Sequence, residues 1–227
     1  MINDIKIESV IFFDIETATH DGRFSDLKEE LANSWEDKHI KNYSDLEFLE
    51  TSYEQKAALH AEFGRVCCIS IAMIVDGAIV TRSFYGDDEP KLLKEFILFL
   101  AERFYQKRTY LCGHNIKNFD VPYIAKRLII NGINVPRELD MAFKKPWDLD
   151  HLIDTMEFWR MGNFRGNESL STLCSVFGVP TPKDDISGKD VSKNYHNGNI
   201  ERIKQYCEKD SIATYRVFCK LRCESFL

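Results

Sequence analysis

The chain of 227 residues has no long hydrophobic run: its most apolar stretches, Val10–Phe13 and Phe96–Ala101, fall far short of the roughly 18 residues that span a bilayer. The opening Met-Ile-Asn-Asp-Ile-Lys lacks the basic and apolar regions of a secretory signal. Neither feature directs the chain to a membrane. No CxxC pair occurs among the seven cysteines, and most of them sit inside apolar segments. That argues against a zinc site or a disulfide framework and for reduced, buried thiols in a cytoplasmic protein. Internal repeats, low-complexity tracts and Pro/Gly-rich linkers are also missing, so no domain boundary is placed within 1–227. There is no basic surplus either: the formal charge is −6. Taken alone, that weighs against nucleic acid.

The distribution of charge points the other way. Residues 17–62 carry five basic and eleven acidic side chains, whereas residues 103–165 carry eleven basic and seven acidic. The acidity is local, and the middle of the chain is basic.

Hydrophobic patterning supplies the elements. Val10–Glu16 is apolar, aromatic and β-branched until its end and reads as a strand. Residues 17–62 read as an acidic helical insertion. Residues 66–75 and 78–85 flank Asp76-Gly77, a hairpin signal. A helix is expected from Pro90 to about Tyr105, then a strand over 109–113. A helix capped by Asn118 should run to Ile130, followed by a strand over 151–155. Helices at about 168–177, 189–195 and 200–223 complete the chain. The order implies an α/β fold with a mixed central sheet flanked by helices.

Three places carry chemistry. Side chains two apart share a strand face, so Phe12, Asp14 and Glu16 point together, two like charges at the edge of an apolar core. Such a pair needs a positive partner, and a divalent cation is the economical one. Asp45-x-Glu47 and Asp87-x-Glu89 have the same spacing, so the preceding Val-Ile-Phe-Phe carries the information. On the last helix, Ile203, Tyr206, Asp210, Thr214 and Val217 share one face, and Asp210 sits in the middle of a stripe that should look inward. Of nine tyrosines, only Tyr206 has an Asp four residues on. Third, a strand ends in Gly113-His114-Asn115 and a helix opens with Asp120 in its first turn. Each has an ordinary structural explanation. An aspartate in a first turn, for example, is favoured by the helix dipole alone.

Together, Asp14-Ile15-Glu16-Thr17, Asn115-x-x-x-Phe119-Asp120 and Tyr206-x-x-x-Asp210 resemble the three motifs of the DEDD superfamily of 3′–5′ exonucleases, which have an RNase H-like fold. Tyr206, with Gln205 where the other branch has histidine, is similar to the tyrosine (DEDDy) branch. The motif wording looks closest to the proofreading domain of family-B DNA polymerases, here as a stand-alone protein. The resemblance implies hydrolysis at the 3′ end of single-stranded DNA with two divalent cations, Mg²⁺ or Mn²⁺, about 3.5–4 Å apart. Asp14, Glu16 and Asp210 would hold one cation, and Asp120 would support a second shared with Asp14. Ile15 and Thr17 would lie beside the terminal nucleotide, and Asn115 and Phe119 would line the cleft. A phenol with a pKa near ~10 is a poor base, so Tyr206 is assigned to orienting the attacking water. The segment from Trp159 to Gly166, with Arg160 and Arg165, reads as a loop that could stack a base and pair a phosphate. Asp154 reads as structural, and His114 as a supporting or core residue. RNA remains open as a substrate, because these motifs do not report the 2′-hydroxyl. So does a binding module whose catalysis has lapsed.

Overall fold

The computed structural model describes residues 2–39, 46–106, 108–163, 165–180 and 186–227. Asp45, named above, and Phe164, within the segment from Trp159 to Gly166, lie outside the described residues. Five strands form one sheet: β1 (Val10–Thr19), β2 (Gly64–Val75), β3 (Ala78–Tyr85), β4 (Tyr110–Gly113) and β5 (Leu152–Asp154). Their order is β3-β2-β1-β4-β5. β1 is antiparallel to β2 and parallel to β4, and β4 is parallel to β5. The mixed, helix-flanked sheet expected of an RNase H-like fold is present. Asp76 and Gly77 turn the hairpin with φ of 50° and 73°, the paired positive values that match the twist of the flanking strands.

β1 is central and buried on both faces, which is why it reads as one apolar run. Ile11, Phe13 and Ile15 point into a core shared with Leu92, Phe96 and Leu100 of α3 (Glu89–Gln106) and Ile124 and Leu128 of α4 (Asp120–Ile130). Phe12 points the other way. It meets Tyr215 and Phe218 of α8 (Ile200–Leu221) edge-on, with ring centroids 5.3 Å apart in each pair. Asp14 and Glu16 share the face of Phe12, so they look toward α8. The buried ion pair Glu89–Arg127 joins α3 to α4 at 2.6 Å, and Glu89 also accepts the Val66 N–H of β2.

The first strand does not end at Glu16, as expected, but continues to Thr19. Cys67 of β2 is an extra residue opposite Glu16 and Thr17, a bulge that re-registers the ladder so that Thr17, Ala18 and Thr19 still pair. The insertion therefore starts later. Its helices α1 (Glu29–His39) and α2 (Leu46–Lys56) close over their own small core of Phe24, Trp35, Leu49, Tyr53 and Phe63. Trp35 buries its ring there while its Nε1–H donates to Ser52. The segment expected as a loop from Trp159 begins as a helix, because Thr155–Arg160 forms α5 with Asp154 as its N-cap. Trp159 packs edge-on against Phe177 of α6 (Leu170–Phe177). A short helix, α7 (Val191–His196), lies against β1 before α8 begins.

Candidate active site

Three elements deliver the carboxylates. β1 presents Asp14 and Glu16, the first turn of α4 presents Asp120, and the middle of α8 presents Asp210. Glu16 is 7% exposed and Asp120 4%, while Asp14 and Asp210 are half-buried. Burial pushes Asp14 well above the usual carboxylate range, and the charges of Asp210, Glu16 and Asp120 push it further. Glu16 is raised well above its range by burial first, then by Asp210, Cys68 and Asp120. Asp120 rises from its ordinary 3.8 to about 7, by burial and by Asp154, against donors from its own N–H and that of Ile15. Asp210 and Asp120 thus lie near enough to act on both Asp14 and Glu16.

Tyr206, half-buried one turn before Asp210, donates its hydroxyl to the Asp210 carboxylate. Burial and the charges of Asp210, Glu16 and Asp14 push the phenol far above its ordinary range, so it keeps its proton at any working pH. Cys207, expected from its apolar neighbours to be an ordinary core thiol, sits behind Asp14. Its Sγ donates to the Asp14 carbonyl at 3.3 Å and lies 3.7 Å from Oδ2. Ligand atoms of Asp14, Glu16 and Cys207 all lie within 4.8 Å of one another. Cys207 precedes Asp210 by three residues on the same helix face, a spacing that could have flagged it.

The second motif is held by a residue given no part in the site. The Asp154 carboxylate accepts the backbone N–H groups of Asn115 (3.0 Å) and Lys117 (3.2 Å) as well as those of Met156 and Glu157. It thereby fixes Asn115 in the left-handed conformation, φ 67°, which L side chains adopt at a cost. From there the chain turns through Asn118, whose side-chain amide donates to Asn115 Oδ1, into Phe119 and Asp120. Asp154 is structural, as expected, and its structure is that of the site. His114 spans Thr155 Oγ1 (2.9 Å) and the Glu168 carbonyl (2.8 Å), and burial lowers its pKa. It buttresses the turn from behind.

The remaining residues distribute less evenly. Phe119 is half-buried against Tyr123, centroids 5.4 Å apart, at the mouth of α4. Thr17 bonds the Tyr123 hydroxyl, which itself donates to the Ala58 carbonyl of the insertion. Ile15 is buried in the core on the face opposite Asp14, so its position offers backbone to the site, not side chain. Arg160 ends α5 with Nη2 on Met156 Sδ, and Arg165 is exposed beyond it. Neither arginine is among the groups that act most strongly on the carboxylates.

Oxygen donors in this number suit hard divalent cations. Among the described residues, no cationic side chain is among the groups acting most strongly on Asp14, Glu16 or Asp120. The donor set fits a dication site.

Comparison with known proteins places this geometry. A DNA polymerase of Red sea bream iridovirus is 27% identical over 141 residues, covering 54% of this chain and 14% of the polymerase. The family B DNA polymerase of the hyperthermophilic archaeon Pyrobaculum calidifontis superposes with a TM-score of 0.61 at 16% identity, covering 94% of this chain and 24% of that one. The chain thus spans a minor part of each, and the second likeness concerns the fold. A family model described as "Predicted 3'-5' exonuclease related to the exonuclease domain of PolB" matches residues 56–225, a range that contains Asp120, Tyr206 and Asp210 and leaves Asp14 and Glu16 before it. That match takes in well over half of the residues, and the chain belongs to this family of predicted 3′–5′ exonucleases related to the exonuclease domain of PolB.

Proposed function

We propose that this chain is a metal-dependent 3′–5′ exonuclease of the tyrosine branch that removes nucleotides from the 3′ end of single-stranded DNA. The observation that carries the reading is that Asp210 and Asp120 act on the neighbouring strand carboxylates Asp14 and Glu16, with Tyr206 hydrogen-bonded to Asp210. Family membership supports the reaction class, and the polymerase relatives favour DNA over RNA.

Asp14, Glu16, Asp120 and Asp210 would hold the divalent cations. Magnesium or manganese, when bound, supplies the positive charge that lets the four groups ionise together and that makes water a competent nucleophile near neutral pH. The protein's own contribution is positional. Asp14 and Glu16 stand on a strand buried on both faces, so their separation is set by the sheet. Asp120 is fixed by the N–H of Ile15 and its own, and its turn is fixed by Asp154. Tyr206 retains its proton and gives it to Asp210, so its hydroxyl oxygen would orient the attacking water as an acceptor and does not act as base. Asn115 and Phe119, at the opening of α4, would line the side on which a terminal nucleotide rests. Arg160 and Arg165 would meet the phosphates of the substrate, a role suggested by the composition of their segment.

The test is a nuclease assay on 5′-labelled single-stranded DNA and RNA of one sequence, in Mn²⁺ with and without EDTA. The expected result is a ladder of 3′-shortened DNA that EDTA abolishes and that RNA yields more slowly. Intact DNA in Mn²⁺, or degradation indifferent to EDTA, sinks the proposal.

A further inference from the structure

Past the carboxylates, β1 runs on to Thr19, where it meets α7. Thr19 is buried, and its N–H donates to Ser192 Oγ at 3.0 Å. Its hydroxyl lies 2.9 Å from that same oxygen and 2.8 Å from His196 Nε2. These bonds pin α7 to the strand end. Opposite stands the C-terminal end of α2, from the insertion, and between them lies a cavity of about 690 Å³.

Its lining is out of character with its surroundings. In a chain of net charge −6, and beside its most acidic segment, the cavity is lined by Lys56, Lys189 and Lys193, with Glu54 as the one acidic lining residue among those described. All three lysines are exposed to solvent. A concave cluster of ammonium groups focuses positive potential, and lysine binds phosphate as a point charge. The described lining contains no Phe, Tyr or Trp, so it offers charge and hydrogen bonds but no platform on which a base could stack. That chemistry suits a sugar-phosphate backbone better than a nucleoside.

Position supplies the rest. Thr19 lies three residues beyond Glu16, roughly 10 Å along the strand at about 3.3 Å per residue. A stacked strand rising ~3.4 Å per nucleotide covers that distance in about three nucleotides. We infer that this cavity binds the phosphodiester backbone of the single strand a few nucleotides upstream of its 3′ end, so that the insertion and α7 together guide the substrate to the carboxylates. The inference rests on the exonuclease reading of the carboxylate cluster.

The double variant Lys189→Glu/Lys193→Glu tests it, since both side chains are exposed and neither belongs to the carboxylate site. Fluorescence anisotropy in EDTA measures the affinity of 5′-labelled dT15 against salt. In Mn²⁺, hydrolysis of dT15 is compared with that of bis(p-nitrophenyl) phosphate, a small diester that cannot reach the cavity. The variant should bind dT15 roughly tenfold or more weakly, with the salt slope reduced by about 1.4 for two lost phosphate contacts to a single strand, and KM for dT15 should rise. Hydrolysis of the small diester should stay as in the wild type. Unchanged dT15 affinity and slope overturn the inference, as does an equal loss on the small diester, which would make the lysines part of the reaction site itself. If the wild type hydrolyses neither substrate, the exonuclease reading fails, and the anisotropy still decides whether the cavity holds the strand.

Discussion

Replacing Asp120 by asparagine separates the energetic cost of the carboxylate cluster from its use. The side chain opens α4, is 4% exposed, and has its pKa raised from 3.8 to about 7, first by burial and then by Asp154. An unfolded chain ionises this group near 3.8 and the folded one near 7. With cations chelated, stability that is whole below pH 3.8 is therefore lost progressively as pH rises, and the loss is complete above about pH 7. At 1.36 kcal/mol per pH unit, the loss is about 4 kcal/mol at pH 8 and less than half of that at pH 5. Asparagine has nearly the same shape and no charge to bury, so it relieves that cost. In a protein of this size 1 kcal/mol moves Tm by ~2–4 °C. In EDTA, Asp120→Asn should thus melt on the order of 10 °C above the wild type at pH 8 and only a few degrees above it at pH 5. Saturating Mn²⁺ should restore the wild type, by about 2.7 kcal/mol at a hundred times Kd, and the variant less. Scanning calorimetry at the two pH values, with and without Mn²⁺, reads all of this. A variant that melts at or below the wild type at pH 8, or a gap that does not change with pH, refutes the account of Asp120 as a buried acid whose ionisation costs stability.

Further outcomes are expected elsewhere. Tyr206→Phe should lower kcat roughly 10²-fold, the cost of losing one preorganised hydrogen-bonding group, while Mn²⁺ affinity by titration calorimetry stays within about twofold. A large fall in affinity would make the phenol part of the metal site. Asp154→Ala strips the acceptor from four N–H groups and should destabilise the fold by roughly 2–4 kcal/mol in urea melts, with activity falling further than stability as Asn115 leaves its left-handed conformation. Equal stability would remove Asp154 from that role. Glu89→Gln leaves Arg127 buried and unpaired and should cost roughly 3–5 kcal/mol. A change under 1 kcal/mol would mean that water reaches the pair.

How far these features are legible in sequence depends on the range of the forces behind them. β1, the hairpin and α8 are set by local patterning, and their apolar periodicity declares them. Asp14 and Glu16 are recognisable because strand alternation places both on the face of Phe12. Tyr206 and Asp210 are recognisable because a helix repeats every 3.6 residues. The extension of β1 to Thr19 is not legible, since it depends on a bulge at Cys67 some fifty residues away. The helical start of α5 is hidden because its N-cap, Asp154, is also the last residue of β5, and pattern gives one residue one role. The bonds from Asp154 to Asn115 and Lys117 reach back about forty residues, and no spacing rule reports them. The stack of Cys207 against Asp14 likewise exists only once α8 lies across β1.

The strand that bears Asp14 and Glu16 is the innermost of the five, paired with β2 along both carboxylates, joined by β4 at Val10–Phe12 and covered on both faces. Such a segment has no local way to fray. Its amides exchange with solvent only when the whole molecule opens, so these two acidic groups keep their spacing until the fold as a whole lets go. Heat should accordingly switch the molecule off in a single step, without a temperature range in which it is folded yet misaligned.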